Sequence, residues 1–147
     1  MSYSTAQLRT EEKEAKVKLA TRQFGELEFD GSIVYHFPNG LPGFEELHDF
    51  IIIDDNDTEP LRWLLSIEEP NVGFAILEIG LVVPELNREL QAEELEASSV
   101  FCVVTLHRDP EPITVNLKAP IVINRTSMSG KQIVLNSDKY STTHKIN

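Results

Sequence analysis

The chain of 147 residues carries 24 Asp/Glu against 13 Lys/Arg, a net charge of −11, and a single cysteine. That length suits one domain that buries roughly 70% of its unfolded surface, and the lone Cys102, inside the apolar run "SSVFCVVTL", excludes an intramolecular disulfide and reads as a small buried hydrophobe in a reducing cytoplasm. No apolar run nears the ~20 residues that span a bilayer, and no basic and apolar leader opens the chain, so neither membrane insertion nor secretion is expected.

Charge is unevenly spread. Residues 26–111 hold 20 Asp/Glu against Arg62, Arg88 and Arg108, a local net of −17, whereas residues 1–25 and 112–147 are +2 and +4. An acidic middle repels phosphate, which argues against direct nucleic-acid binding, and attracts a basic protein; the plainer reading is a solvated surface.

In chain order, residues 1–14 read as a mobile polar leader without an apolar stripe, and residues 15–147 as one domain. "VKLATRQ" alternates, with Val17, Leu19 and Thr21 on one face. "GELEFDGSIVYHFP" alternates twice around a turn. A two-residue Asp30-Gly31 loop would set Ile33 and Tyr35 against Glu28 and Glu26, whereas a three-residue loop, Asp30 to Ser32, pairs Phe29 with Ile33 and Leu27 with Tyr35 and makes one face apolar; the three-residue loop is expected. "PNGLPGFEELHDF" forbids regular structure and specifies a fixed turn around Gly40, Pro42, Gly43 and Phe44, leading into one helical turn at 44–47. Here a folded turn anchored by a buried ring competes with a contact loop.

"FIIIDD", "LRWLLSIEE" and "VGFAILEI" read as strands, "ELNRELQAEELEAS" as the one helix, through Leu86, Leu90 and Leu95, and "VFCVVTL", "ITVNL", "PIVIN" and "QIVLN" as strands again. Many short strands with frequent turn signals predict an all-β, mostly antiparallel, barrel-like domain with at most one or two short helices. Pro120 cannot donate to a ladder, so Lys118-Ala119-Pro120 is expected to end one run and start the next in a shifted register. Asn116 and Asn124 would satisfy the backbone groups left over there; the competing reading makes Asn116, Lys118 and Asn124 partner contacts.

Chemical motifs fail on inspection. His107-Arg108-Asp109 lacks the rest of a kinase catalytic loop and reads as a hairpin turn, while "DDNDTEP" lacks the glycine and the final glutamate of a calcium loop. His36, His48, His107 and His144 are scattered in sequence without metal-ligand spacing, and Gly130-Lys131 lacks the rest of a P-loop. No cofactor and no catalytic residue is assigned.

Three strings in order, "NGLPGFEE" (39–46), "NLKAPIVIN" (116–124) and "KQIVLNSDKYSTTH" (131–144), with "WLLSIEEPNVGFAI" between the first two, resemble the flagellar assembly factor family FliW over about residues 17–145. Leu65 stands where that family usually has Gln, and "LVVPELNRELQ" fits its Pro-rich middle segment loosely. The resemblance implies a small cytoplasmic β-barrel, a monomer and not an enzyme. It would bind the translational regulator CsrA, relieving repression of flagellin mRNA, and bind flagellin in a partner switch. The alternative is an unrelated β-barrel with a small-molecule or enzymatic site.

Overall fold

A computed structural model describes residues 16–93 and 98–146. Strands β1 (Lys16–Thr21) and β2 (Gly25–Asp30) form a two-stranded antiparallel ribbon. The remaining strands are β3 (Tyr35–His36), β4 (Asp49–Asp54), β5 (Arg62–Ser66), β6 (Gly73–Glu78), β7 (Ser98–Thr105), β8 (Thr114–Asn124), β9 (Ser129–Gln132) and β10 (His144–Lys145). They line up as β10-β8-β7-β6-β5-β4-β3-β9, and β9 pairs back onto β8, so the strands from β3 to β9 close on themselves. Every pairing is antiparallel except β3 with β9, where His36 faces Ser129. Closure removes the long free edges of the barrel itself among the described residues, and the all-β, barrel-like class read from the strand spacing is the one observed.

The wall is buried on both faces, which explains why its strands read as nearly continuous apolar runs and not as clean alternation. On β7, Val100, Cys102 and Val104 point to one face, where Leu86 and Leu90 of helix α1 (Pro84–Glu93) also pack. Phe101 points to the other, with Phe37, Phe50, Leu64, Ile76, Ile121 and Ile123. Helix α1 opens with Pro84, whose missing N–H would be an orphan at that position anyway, and carries Glu85 in its positive first turn. Leu95, counted in the predicted helix, and the whole polar leader 1–14 lie outside the described residues.

Two sequence expectations are corrected. The hairpin expected between 26–29 and 33–36 does not form: β2 pairs upstream with β1, Leu27 facing Leu19 and Phe29 facing Val17. A three-residue hairpin loop wants a left-handed glycine, and Gly25 provides it at φ +68° while Gly31 has no positive φ. Thr21 Oγ1 accepts the Phe24 N–H and donates to the Gly25 carbonyl, holding that turn shut. Asp30 instead accepts the Ser32 N–H at 2.9 Å and caps a 3₁₀ turn over Gly31–Ile33 that leads the chain away to β3. The ribbon then lies on the barrel through Leu19, Leu27 and Phe29 against Ile51 and Leu65.

The second correction concerns β8. "ITVNL" and "PIVIN" are one strand, not two, although the shift in register is present: Val103 faces Asn116 and Phe101 faces Ile121, so two steps along β7 match five along β8. Pro120, with no N–H to give, still accepts from Ile133 N at 3.0 Å, and Lys118 O accepts from Leu135 N at 2.8 Å. The predicted strand "QIVLN" thus continues past β9 by backbone hydrogen bonds alone.

Candidate protein-interaction surface

The Asn39–Glu46 string folds into a fixed turn. Gly40 (φ +63°) donates to the Phe37 carbonyl, Leu41 and Phe44 exchange backbone hydrogen bonds, and Leu47 N donates to Phe44 O at 3.1 Å. A methyl group on Gly40 would stand 2.6 Å from Phe44 O, so only glycine fits. Gly43 (φ +86°) gives its N–H to Glu45 Oε2 at 3.0 Å. That bond, with Glu45's own N–H, holds the Glu45 carboxyl below its ordinary 4.5. The anchoring expected of a buried Phe44 ring falls instead to Leu41 and Leu47. Phe44 itself is 37% exposed and meets the Phe74 ring edge-on at 5.4 Å.

Asn116 lies half-buried at the register shift, and its Oδ1 accepts from Lys118 N at 3.0 Å and Ala119 N at 3.1 Å. Gln132 Nε2 donates to the freed Ala119 carbonyl. Lys118 is half-buried and reaches Asp138 at 4.0 Å. Asn124 serves a different purpose from the one expected: its Oδ1 accepts from Thr126 N and Ser127 N, which turns β8 into β9, and it takes no part in the shift at Lys118–Pro120.

The structure brings Asn124, but not Asn116 or Lys118, to the Gly40 turn. Asn124, Asn39, Gly130 and Lys131 line one trough; Asn39, Gly40, Pro42, Glu45 and Lys131 line the next, and the two share Asn39, Gly130 and Lys131. The approach is close because Gly130 has no side chain: a methyl there would stand 2.3 Å from Cζ of the fully buried Phe37. Asn116 and Lys118 lie instead beside the C-terminal segment, where Leu117 N donates to Ser141 O and β10 pairs with Val115 and Thr114.

Sequence spacing could not show one convergence. His36 and His48, read as scattered, have ring centroids 5.9 Å apart because β3 pairs with the start of β4. Cys102 is fully buried, and desolvation pushes its thiol up to about 12, as befits a hydrophobe and not a nucleophile. The troughs among the described residues hold about 160–370 Å³ and open to solvent, at or below the small end of ligand cavities and without their enclosure. No helix of the described residues is long and apolar enough to cross a membrane.

The described chain is a closed β-barrel with shallow, open troughs. The model of the family described as FliW protein matches residues 18–146. The flagellar assembly factor FliW of Caldanaerobacter subterraneus subsp. tengcongensis is 37% identical over 139 residues, covering 88% of this chain and 93% of that one. That of Thermosipho africanus is 38% identical over 139 residues, with 88% and 95% covered. The crystal structure of a flagellar assembly factor FliW superposes with a TM-score of 0.75 at 29% identity, over 88% of this chain and 96% of that one. The chain belongs to the FliW family.

Proposed function

We propose that this chain is a cytoplasmic flagellar assembly factor that acts by binding proteins: it sequesters CsrA, so that flagellin mRNA is translated, and it binds flagellin in exchange. The observation that carries the reading is the match to flagellar assembly factors over nearly the whole chain, with the same fold. The chemistry agrees. The −17 segment suits a basic, RNA-binding partner, and open troughs suit protein contact more than small-molecule capture. Unexported flagellin occupies the protein and leaves CsrA free to repress; export frees the protein to take CsrA.

A standard interface covers ~800 Å² per partner. The described surface of 9326 Å² accommodates two such patches, so exclusion must come from overlap or coupling and not from lack of room. The test is a CsrA titration at rising flagellin concentration, with size-exclusion chromatography of the three-component mixture. The apparent Kd for CsrA should climb in proportion to flagellin if the two exclude each other, or plateau at a fixed ratio if they are coupled. A stable ternary peak with unaltered CsrA affinity would sink the switch.

A further inference from the structure

His36 and His48 bracket the Gly40 turn, one at the end of β3 and the other just before β4. A carboxylate and a carbonyl can only accept, so the contacts of His36 Nδ1 with Asp49 Oδ1 (2.9 Å) and of His48 Nδ1 with Phe37 O (3.0 Å) place a proton on each Nδ1. In its neutral form each ring then carries its lone pair on Nε2, and neither Nε2 has a hydrogen-bond partner among the described residues. An imidazole whose far nitrogen donates to a carboxylate or backbone carbonyl is the arrangement found behind metal-bound histidines.

We infer that His36 and His48 form a two-imidazole site for a late first-row divalent cation of the zinc class, oriented by Asp49 and the Phe37 carbonyl. With Zn–N of ~2.0–2.1 Å and a tetrahedral angle at the ion, two rings on one ion have centroids about 5.2 Å apart, so the observed 5.9 Å leaves the rings about 0.7 Å to close. His36 is 58% exposed, so its ring has room to finish the approach and water has room to fill the remaining positions. Two nitrogen ligands favour a borderline cation over Mg²⁺ or Ca²⁺, which want oxygen. Bound there, the ion closes residues 37–47 into a loop and fastens the turn that faces Asn124.

The other histidines provide an internal control. His107 contacts Thr114 Oγ1 through Nε2 at 3.1 Å, so the nitrogen that would have to face an ion is already engaged. His144 lies on the exposed strand β10. The experiment titrates the full chain with ZnCl₂ and follows the imidazole resonances by NMR, with MgCl₂ in parallel. The His36 and His48 signals should move together and saturate at one Zn²⁺ per chain, while His107 and His144 stay still and Mg²⁺ does nothing. His36→Ala should weaken the His48 response at least tenfold, and Asp49→Asn, which keeps both imidazoles, should weaken binding about 10–100-fold. Four rings responding alike without saturation, or a His48 response indifferent to His36→Ala, would overturn the site.

Discussion

Asn116 shows how a polar side chain stands in for a missing rung of a ladder. Where five steps of β8 run against two of β7, the N–H groups of Lys118 and Ala119 lose strand partners, and one amide oxygen accepts both. That role was legible from "NLKAP" because a proline in a strand announces leftover backbone groups. Asn124 was not separable from it by the same logic, since an Asx turn and a bulge leave the same residue type behind. Asn116→Ala should therefore lower the unfolding free energy by ~1–3 kcal/mol, read as a shifted urea midpoint with unchanged slope. Asn116→Asp keeps the acceptor oxygen and should recover most of the loss. An unmoved midpoint with partner binding abolished would make Asn116 a contact residue instead.

At the scale of elements, patterns of apolar alternation were readable and their partners were not. "VKLAT" and "GELEF" announce strands, but an alternating face pairs equally well with a neighbour on either side. What decided was the turn: left-handed Gly25 with Thr21 closes one hairpin, while Asp30 caps a 3₁₀ turn that forbids the other. The parallel β3–β9 contact that closes the barrel leaves no mark in either short stretch, and neither does the meeting of His36 with His48. The Gly40 turn was legible, because two glycines and two prolines in six residues allow little else. Its tie between Gly43 N–H and the Glu45 carboxylate is sensitive to acid. The folded state depresses the Glu45 pKa, so this stabilisation is complete above about 4.5 and is lost as pH falls through the folded value. In an NMR titration of the native chain the Glu45 carboxyl carbon should show a midpoint below 4.5, with the Gly43 amide proton moving in step. A Glu45 midpoint at or above 4.5, or a Gly43 amide that ignores it, would remove the tie.

The whole molecule divides its charge along the sequence and not into separate faces: Glu78 shares a trough with Arg125, and Glu45 shares one with Lys131. Exposed acids such as Glu26, Glu28, Asp54, Glu59, Glu78, Glu85 and Glu89 run from the β1–β2 ribbon to helix α1, while Arg125, Lys139 and Lys145 belong to the segment that carries β8 to β10. Charges this exposed contribute little as individual ion pairs, but their summed field reaches a partner before contact. For the basic partner proposed above, the acidic segment would supply the long-range attraction, and steering of this kind raises association rates ~10–10³-fold while leaving dissociation to the short-range contacts. The Debye length falls from about 10 Å at 0.1 M salt to about 3 Å at 1 M. Stopped-flow association with CsrA across that range should show the on-rate falling tenfold or more while the off-rate changes far less. Reversing two helix charges, Glu85→Lys with Glu89→Lys, should slow association at low salt and flatten its salt dependence. Reversing Lys139 and Lys145 to Glu, in the basic segment, should leave the on-rate the same or raise it. An association rate flat in salt, or one that answers equally to either pair of reversals, would mean that the acidic body only keeps the protein in solution.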